Sequence, residues 1–128
     1  MTKIRGGIVI GRPMDVVFDM VADQRNEPSY NPVMTYSEKL TDGPIDVGTQ
    51  FRATTTVRAR PVQMLIEYTA YDRPRVVAST TSMATADIQG AITFSPHPSG
   101  TRMCWSWEVT PRGALKLLAP IIALAGRR

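Results

Sequence analysis

The chain has 128 residues, 43% of them hydrophobic and 20% charged, and a formal net charge of +4. That balance suits one globular domain over residues 1–128 and excludes a disordered or fibrous chain. Its one cysteine, Cys104, excludes an intramolecular disulfide and fits a reducing, cytoplasmic setting. The opening residues carry a short apolar patch without a small-residue cleavage site, which makes a poor signal peptide. No uncharged apolar run reaches the ~18 residues of a spanning helix, so no transmembrane segment is expected. The arginines are scattered and not interleaved with aromatic residues, so no nucleic-acid partner is expected despite the positive charge.

Residues 3–10 read as a first strand. Pro13 then suits the first position of a helix, and Met14, Val17, Phe18 and Val21 follow at i, i+3, i+4 and i+7. Asp15, Asp19 and Asp23 fall on the other side and read as a solvated face that complements the helix dipole. Residues 24–32, QRNEPSYNP, are rich in turn formers and read as an irregular or short helical link. From residue 33 to 111 Thr, Val and aromatic residues dominate, with turn signals at residues 41–44, 60–61, 72–74 and 95–100. This is the pattern of an antiparallel meander. A second helix is expected after Arg112-Gly113. The class is α+β.

Short turns nearly set the registers. A turn at Arg60-Pro61 pairs Val57 with Met64. The next hairpins pair Tyr68 with Ser79, Thr81 with Gly90, and Gly90 with Trp105. All then agree on one dry face, which includes Phe51, Met64, Ile66, Tyr68, Val77, Ile92, Phe94, Met103, Trp105 and Trp107. Across it runs a band of small or hydroxylated positions: Ala53, Thr55, Ser79, Thr81 and Gly90. Either helix side chains fill this band and backbone satisfies its hydroxyls, or it is the floor of a ligand cavity. A glycine opposite Trp105 favours the cavity. The candidate lining is Tyr30, Phe51, Thr55, Ile66, Tyr68, Ser79, Thr81, Met83, Gly90, Ile92, Met103, Trp105 and Trp107, with Leu118 and Ile122 from the closing helix.

Demanding chemistry is poorly provided for. The sole histidine, His97, lies in a Pro-flanked turn, and Cys104 falls on the wet face without a histidine partner. No metal-ligand spacing and no Gly-rich phosphate motif is present, so no metal and no cofactor is expected. Catalytic residues stay unassigned.

The layout resembles the START-like (SRPBCC) superfamily, in particular its polyketide cyclase/dehydrase and lipid-transport branch. The resemblance rests on VIGRPMDVVFDMVAD, on the D-x-x-N-x-P-x-Y-x-P link from Asp23 to Pro32, and on Glu67-Tyr68 before Asp72-Arg73-Pro74. It rests also on Ser99-Gly100-Thr101-Arg102, and on Pro111-Arg112-Gly113 leading to Lys116-Leu117-Leu118-Ala119-Pro120. The resemblance implies a helix-grip fold, with a curved antiparallel sheet of about seven strands wrapped around a C-terminal helix and an apolar cavity between. Here that helix would be about 20 Å long at ~1.5 Å per residue, shorter than in relatives, and a homodimer could cover what it leaves exposed. The fold hosts carriers and enzymes alike. The leading expectation is binding of a hydrophobic small molecule, lipid or polyketide-like, in that cavity. The runner-up is a cyclase or dehydratase in which Tyr68 and nearby hydroxyls assist. A third is a protein-interaction module with a vestigial cavity.

Overall fold

The computed structural model describes residues 2–111. Its elements are β1 (Thr2–Ile10), α1 (Met14–Ala22), a 3-10 link (Gln24–Ser29), β2 (Met34–Lys39), β3 (Gln50–Val57), β4 (Arg60–Asp72), β5 (Val76–Ser82), β6 (Ala86–His97) and β7 (Gly100–Pro111). The strands form one curved antiparallel sheet in the order β1-β7-β6-β5-β4-β3-β2. The helix expected after residue 113, with Leu118 and Ile122, lies outside the described residues.

This order explains why helical structure interrupts the strands so early. β1 and β2 hold opposite edges of the sheet. The chain between them must cross six strand spacings, about 29 Å if the sheet were flat at ~4.8 Å each. Helix α1 and the 3-10 link make that crossing over the inner face. Val17, Phe18 and Ala22 of α1 are buried, and Met14 and Val21 pack against the core, as their spacing requires. Phe18 meets Tyr71 and Phe94 edge-on, with ring centres 5.3 and 5.2 Å apart. Phe51 and Tyr68 continue the aromatic cluster at 5.5 Å. Edge-on pairs of this kind add to the burial of apolar area itself. Pro13 caps the helix from outside in an extended conformation rather than occupying its first turn, and its carbonyl accepts from the Val17 N–H at 3.1 Å. Asp19 is not merely solvated. It holds the Arg73 guanidinium through two bonds of 2.7 Å and so ties α1 to the β4–β5 turn. Both groups are about half exposed, so solvent screens the pair and it positions the helix more than it stabilises the fold.

The β4–β5 hairpin pairs Tyr68 with Ser79 as expected, whereas the registers of the other three hairpins differ from those the turn signals suggest by an even number of residues. Val57 faces Arg60 rather than Met64, because the β3–β4 turn is Arg58-Ala59, two residues earlier. Thr81 faces Ile88 rather than Gly90, because β5 and β6 join through the tight turn at Ala84-Thr85. Strand β6 runs on through Pro96 to His97, so Gly90 faces Trp107 rather than Trp105. A side-chain period of two means that an even displacement leaves the inner face unchanged. One element does change face. A bulge at Thr69 places Tyr71, not Ala70, opposite Val77 and in the aromatic cluster.

The β3–β4 turn has positive φ at both central residues, 52° at Arg58 and 64° at Ala59, the geometry that matches strand twist. A Cβ makes that geometry costly. Ala59→Gly is therefore expected to stabilise the protein by about 1 kcal/mol, net of the glycine's greater freedom when unfolded. A denaturant titration should show the midpoint move up with an unchanged slope.

Candidate ligand site

Beyond the aromatic cluster the described residues leave part of the inner face unfilled. A cavity of about 250 Å³, room for about eight waters at ~30 Å³ each, lies between the sheet and the 3-10 link. Ile4, Met34, Met64, Ile66, Ile88, Ile92, Trp107 and Val109 supply its apolar walls. Four polar side chains interrupt them: Ser79 and Thr81 from β5, Gln24 and Glu27 from the link.

The link's geometry explains the last two. A 3-10 helix has three residues per turn, so residues i and i+3 stand one above the other. Gln24 and Glu27 therefore share a face, and that face looks into the cavity. Asp23 starts this helix. Its carboxylate accepts from the Arg25 N–H at 3.1 Å and from the Arg25 guanidinium at 2.8 Å, which holds its pKa below the usual value. Tyr68 then fixes the joint between α1 and the link. Its hydroxyl donates to the Ala22 carbonyl that ends α1, and accepts from Gln24 Nε2 at 3.1 Å. The hydroxyl has one proton and gives it to Ala22. The Gln24 group facing it must therefore be the amide nitrogen, and Oε1 is left to point elsewhere. Gln24 Oε1 is buried and accepts from no group among the described residues. Glu27 Oε2 accepts from Asn31 Nδ2 at 2.9 Å, while burial pushes the carboxyl above the ordinary range.

The expected lining residues divide into groups. Ile66, Ser79, Thr81, Ile92 and Trp107 stand on the cavity wall. Phe51 and Tyr68 are fully buried behind it, and burial raises the Tyr68 phenol. Met103 packs at the edge of the core, opposite Phe94. The Thr55 hydroxyl donates to the Val33 carbonyl at 3.2 Å. Met83 opens the β5–β6 turn, its N–H bonded to the Ala86 carbonyl. Tyr30 closes the 3-10 link and is half exposed, with its phenol also raised by burial and by Glu27. The two glycine–tryptophan contacts rearrange. Trp107 lies over Gly90, where a Cβ would sit 2.8 Å from its ring and 1.9 Å from the Ser106 carbonyl oxygen. Trp105 lies over Gly6 of β1, where a Cβ would fall within 2.5 Å of its ring. The glycines thus seat the indoles rather than leaving them uncovered.

Gln24 and Glu27 do not stand out in the sequence. QRNEPS is short, contains Pro28 and has no apolar stripe, so it reads as an irregular or short helical link with no face assigned. The available signal is the spacing of three, Gln24, Glu27 and Tyr30, after a capping Asp23. A larger hollow of about 520 Å³ lies mainly on the opposite face, among Lys3, Arg5, Thr80, Gln89, Ser106 and Glu108. Its walls are dominated by outward-facing polar groups that water serves well. The inner cavity has the apolar walls and few convergent polar groups of a small-molecule site.

Two outcomes follow. Tyr68→Phe strands the Ala22 carbonyl and the Gln24 amide, so chemical denaturation should show a loss of about 1–3 kcal/mol. Glu27 has a folded pKa raised above its ordinary 4.5, so the folded state holds the proton more tightly than the unfolded chain. Its contribution is present below pH 4.5 and lost as pH rises through the folded value. Glu27→Gln keeps the acceptor for Asn31 and removes this loss. In thermal melts from acid to neutral pH, the variant should gain on the parent as pH rises and then level off.

The family model described as polyketide cyclase / dehydrase and lipid transport matches residues 1–127. No curated protein matches the sequence. Among solved structures, the Zhui aromatase/cyclase from Streptomyces sp. R1128 superposes with a TM-score of 0.77 at 17% identity, covering 88% of this chain and 70% of that one. A START superfamily protein from Mycobacterium smegmatis gives 0.73 at 14% identity, covering 98% and 95%. Ginseng major latex-like protein 151 from Panax ginseng gives 0.71 at 12% identity, covering 97% and 92%. At these identities the likeness is one of fold. Among the described residues no helix is long and apolar enough to cross a membrane, and no group of His, Cys, Asp and Glu could hold a metal ion.

Proposed function

The chain belongs to the polyketide cyclase / dehydrase and lipid transport family, and from that premise we propose that it binds a small hydrophobic molecule in the cavity between the sheet and the 3-10 link. The observation that carries this reading is the cavity itself. Among the described residues about 250 Å³ stays open beside eight apolar wall residues and four polar ones. An apolar recess with a few polar groups on its walls has the character of a small-molecule site. Bound ligand would remove the inward surfaces of Ile66, Ile88 and Ile92 from water at about 25 cal/mol per Å². Ser79 and Thr81 would orient it from the floor.

Native mass spectrometry of freshly purified protein tests the proposal, with identification of whatever is released. Trp107 is on the wall, so an apolar ligand should shift its emission. The shift should vanish in Trp107→Phe and persist in Trp105→Phe. Thr81→Phe, which fills the floor, should weaken binding roughly tenfold or more, a change of about 1.4 kcal/mol or more. An unchanged emission across aliphatic and aromatic compounds, with no molecule released, contradicts the proposal. Gly90→Leu is not a usable filler, since its Cβ collides with the Ser106 carbonyl.

One observation favours a second reading, a cyclase- or dehydratase-type enzyme. Glu27 presents a carboxyl to the cavity with its pKa raised by burial. A carboxyl so shifted is better matched to proton transfer near neutral pH than an exposed one. Tyr68 is less suited to that task, because its hydroxyl is committed to Ala22 and Gln24. Turnover abolished by Glu27→Gln with ligand affinity retained would establish this reading. Equal turnover in the variant would dismiss it.

A further inference from the structure

The two ends of the sheet differ in charge. The end that holds the β4–β5 turn carries both signs close together. Arg73 pairs there with Asp19 and Arg75 with Asp72, and Asp42 and Asp46 lie in the loop before β3. The other end holds the β3–β4 turn, where Arg58 and Arg60 are exposed. Among the described residues neither of these arginines pairs with a carboxylate, whereas Arg25, Arg52, Arg73 and Arg75 each do. Apolar side chains surround the two cations. Val57 precedes the turn and is about half exposed. Val33, exposed to the same degree, is bonded to this hairpin, its carbonyl accepting from the Thr56 N–H at 2.7 Å and the Thr55 hydroxyl at 3.2 Å. Pro32 and Pro61 beside them are exposed as well. Met34 and Met64 put the cavity wall on the same strands, and the hairpin runs on past Met64 for about 13 Å at ~3.3 Å per residue.

We infer that this hairpin end docks on an anionic lipid membrane, with Arg58 and Arg60 among the headgroups and Val33 and Val57 at the edge of the acyl region. Unpaired cations flanked by exposed apolar groups match a surface that is negative at the headgroups and apolar just beneath. The long arginine stems let the charge stay with the phosphates while the valines go deeper. An acidic protein surface would satisfy the arginines and leave the valines and prolines without an apolar partner. The mixed charges at the opposite end turn the hairpin end toward such a membrane. The inference extends the binding proposal, because a hydrophobic ligand is scarce in water and concentrated in a bilayer. Docking itself is measured without a ligand, so it stands or falls separately.

The test is co-sedimentation of the full chain with vesicles of phosphatidylcholine alone and of phosphatidylcholine mixed with phosphatidylglycerol, at low ionic strength. The parent is expected to partition onto the mixed vesicles about tenfold or more strongly than onto the neutral ones, and to come off as salt is added. Arg58→Glu combined with Arg60→Glu should lose most of that preference. Arg5→Glu combined with Arg102→Glu makes the same change of net charge at exposed positions away from the hairpin, and should keep most of it. Val33→Ser combined with Val57→Ser leaves the charge alone and should weaken partition about threefold or more. Circular dichroism shows whether each variant is folded, and each folded variant is read by itself. Equal partition onto both kinds of vesicle, an equal loss in the two arginine variants, or no effect of the valine changes overturns the inference. No partition onto either vesicle also overturns it, and leaves an acidic protein as the partner to seek. None of these results bears on the cavity, which the Trp107 emission tests independently.

Discussion

The arrangement depends on the Tyr68 hydroxyl. It gives its proton to the carbonyl that ends α1 and takes one from the side chain that begins the 3-10 link. Without that brace, two short helical pieces would lie across a curved sheet, held by apolar packing of Val17, Phe18 and Ala22 and by the exposed Asp19–Arg73 pair. With it, the crossing from β1 to β2 turns at a fixed point, and Gln24 and Glu27 come to rest over the inner face. The brace also costs the molecule something. A buried amide oxygen at Gln24 is left unpaired, a penalty of about 1–3 kcal/mol that folding alone does not recover.

The division of labour across the sheet follows from this. Toward one end, Phe18, Phe51, Tyr68, Tyr71 and Phe94 form the solid aromatic core that holds the fold. Beyond it, residues of medium size, with Ser79 and Thr81 between them, leave space. The tryptophans sit on the β1–β7–β6 side, each folded over a glycine on a neighbouring strand. Gly90 has a structural role in this arrangement, because β7 approaches so closely that no side chain fits there.

Much of this was legible in the sequence, and the reasons are physical. Alternation in β3 to β7 assigns the inner face correctly where a turn is misjudged by an even number of residues, and fails only beyond the bulge in β4. Parity alone puts Ile66, Ser79, Thr81, Ile92 and Trp107 on the inner face, where they line the recess. What escaped was anything that depends on one extra residue or on a period other than two. The bulge at Thr69 exchanges Ala70 for Tyr71, and no residue type announces it. The 3-10 link has a period of three over six residues, too short to register as a pattern, yet it carries two of the four polar side chains that line the cavity. The turn at Arg58-Ala59 was hidden because neither residue is one that favours positive φ.

The central claim is that a ligand enters the inner cavity and meets the polar wall of the 3-10 link. Side-chain and backbone NMR spectra recorded during a titration with 2-naphthol test it most directly. The account predicts that the Gln24 amide and the Trp107 indole signals move together, with Glu27, Ser79, Thr81 and Ile92 following and Trp105 changing little. Perturbations confined to Lys3, Arg5, Gln89 and Glu108 would place the ligand on the opposite face and contradict it.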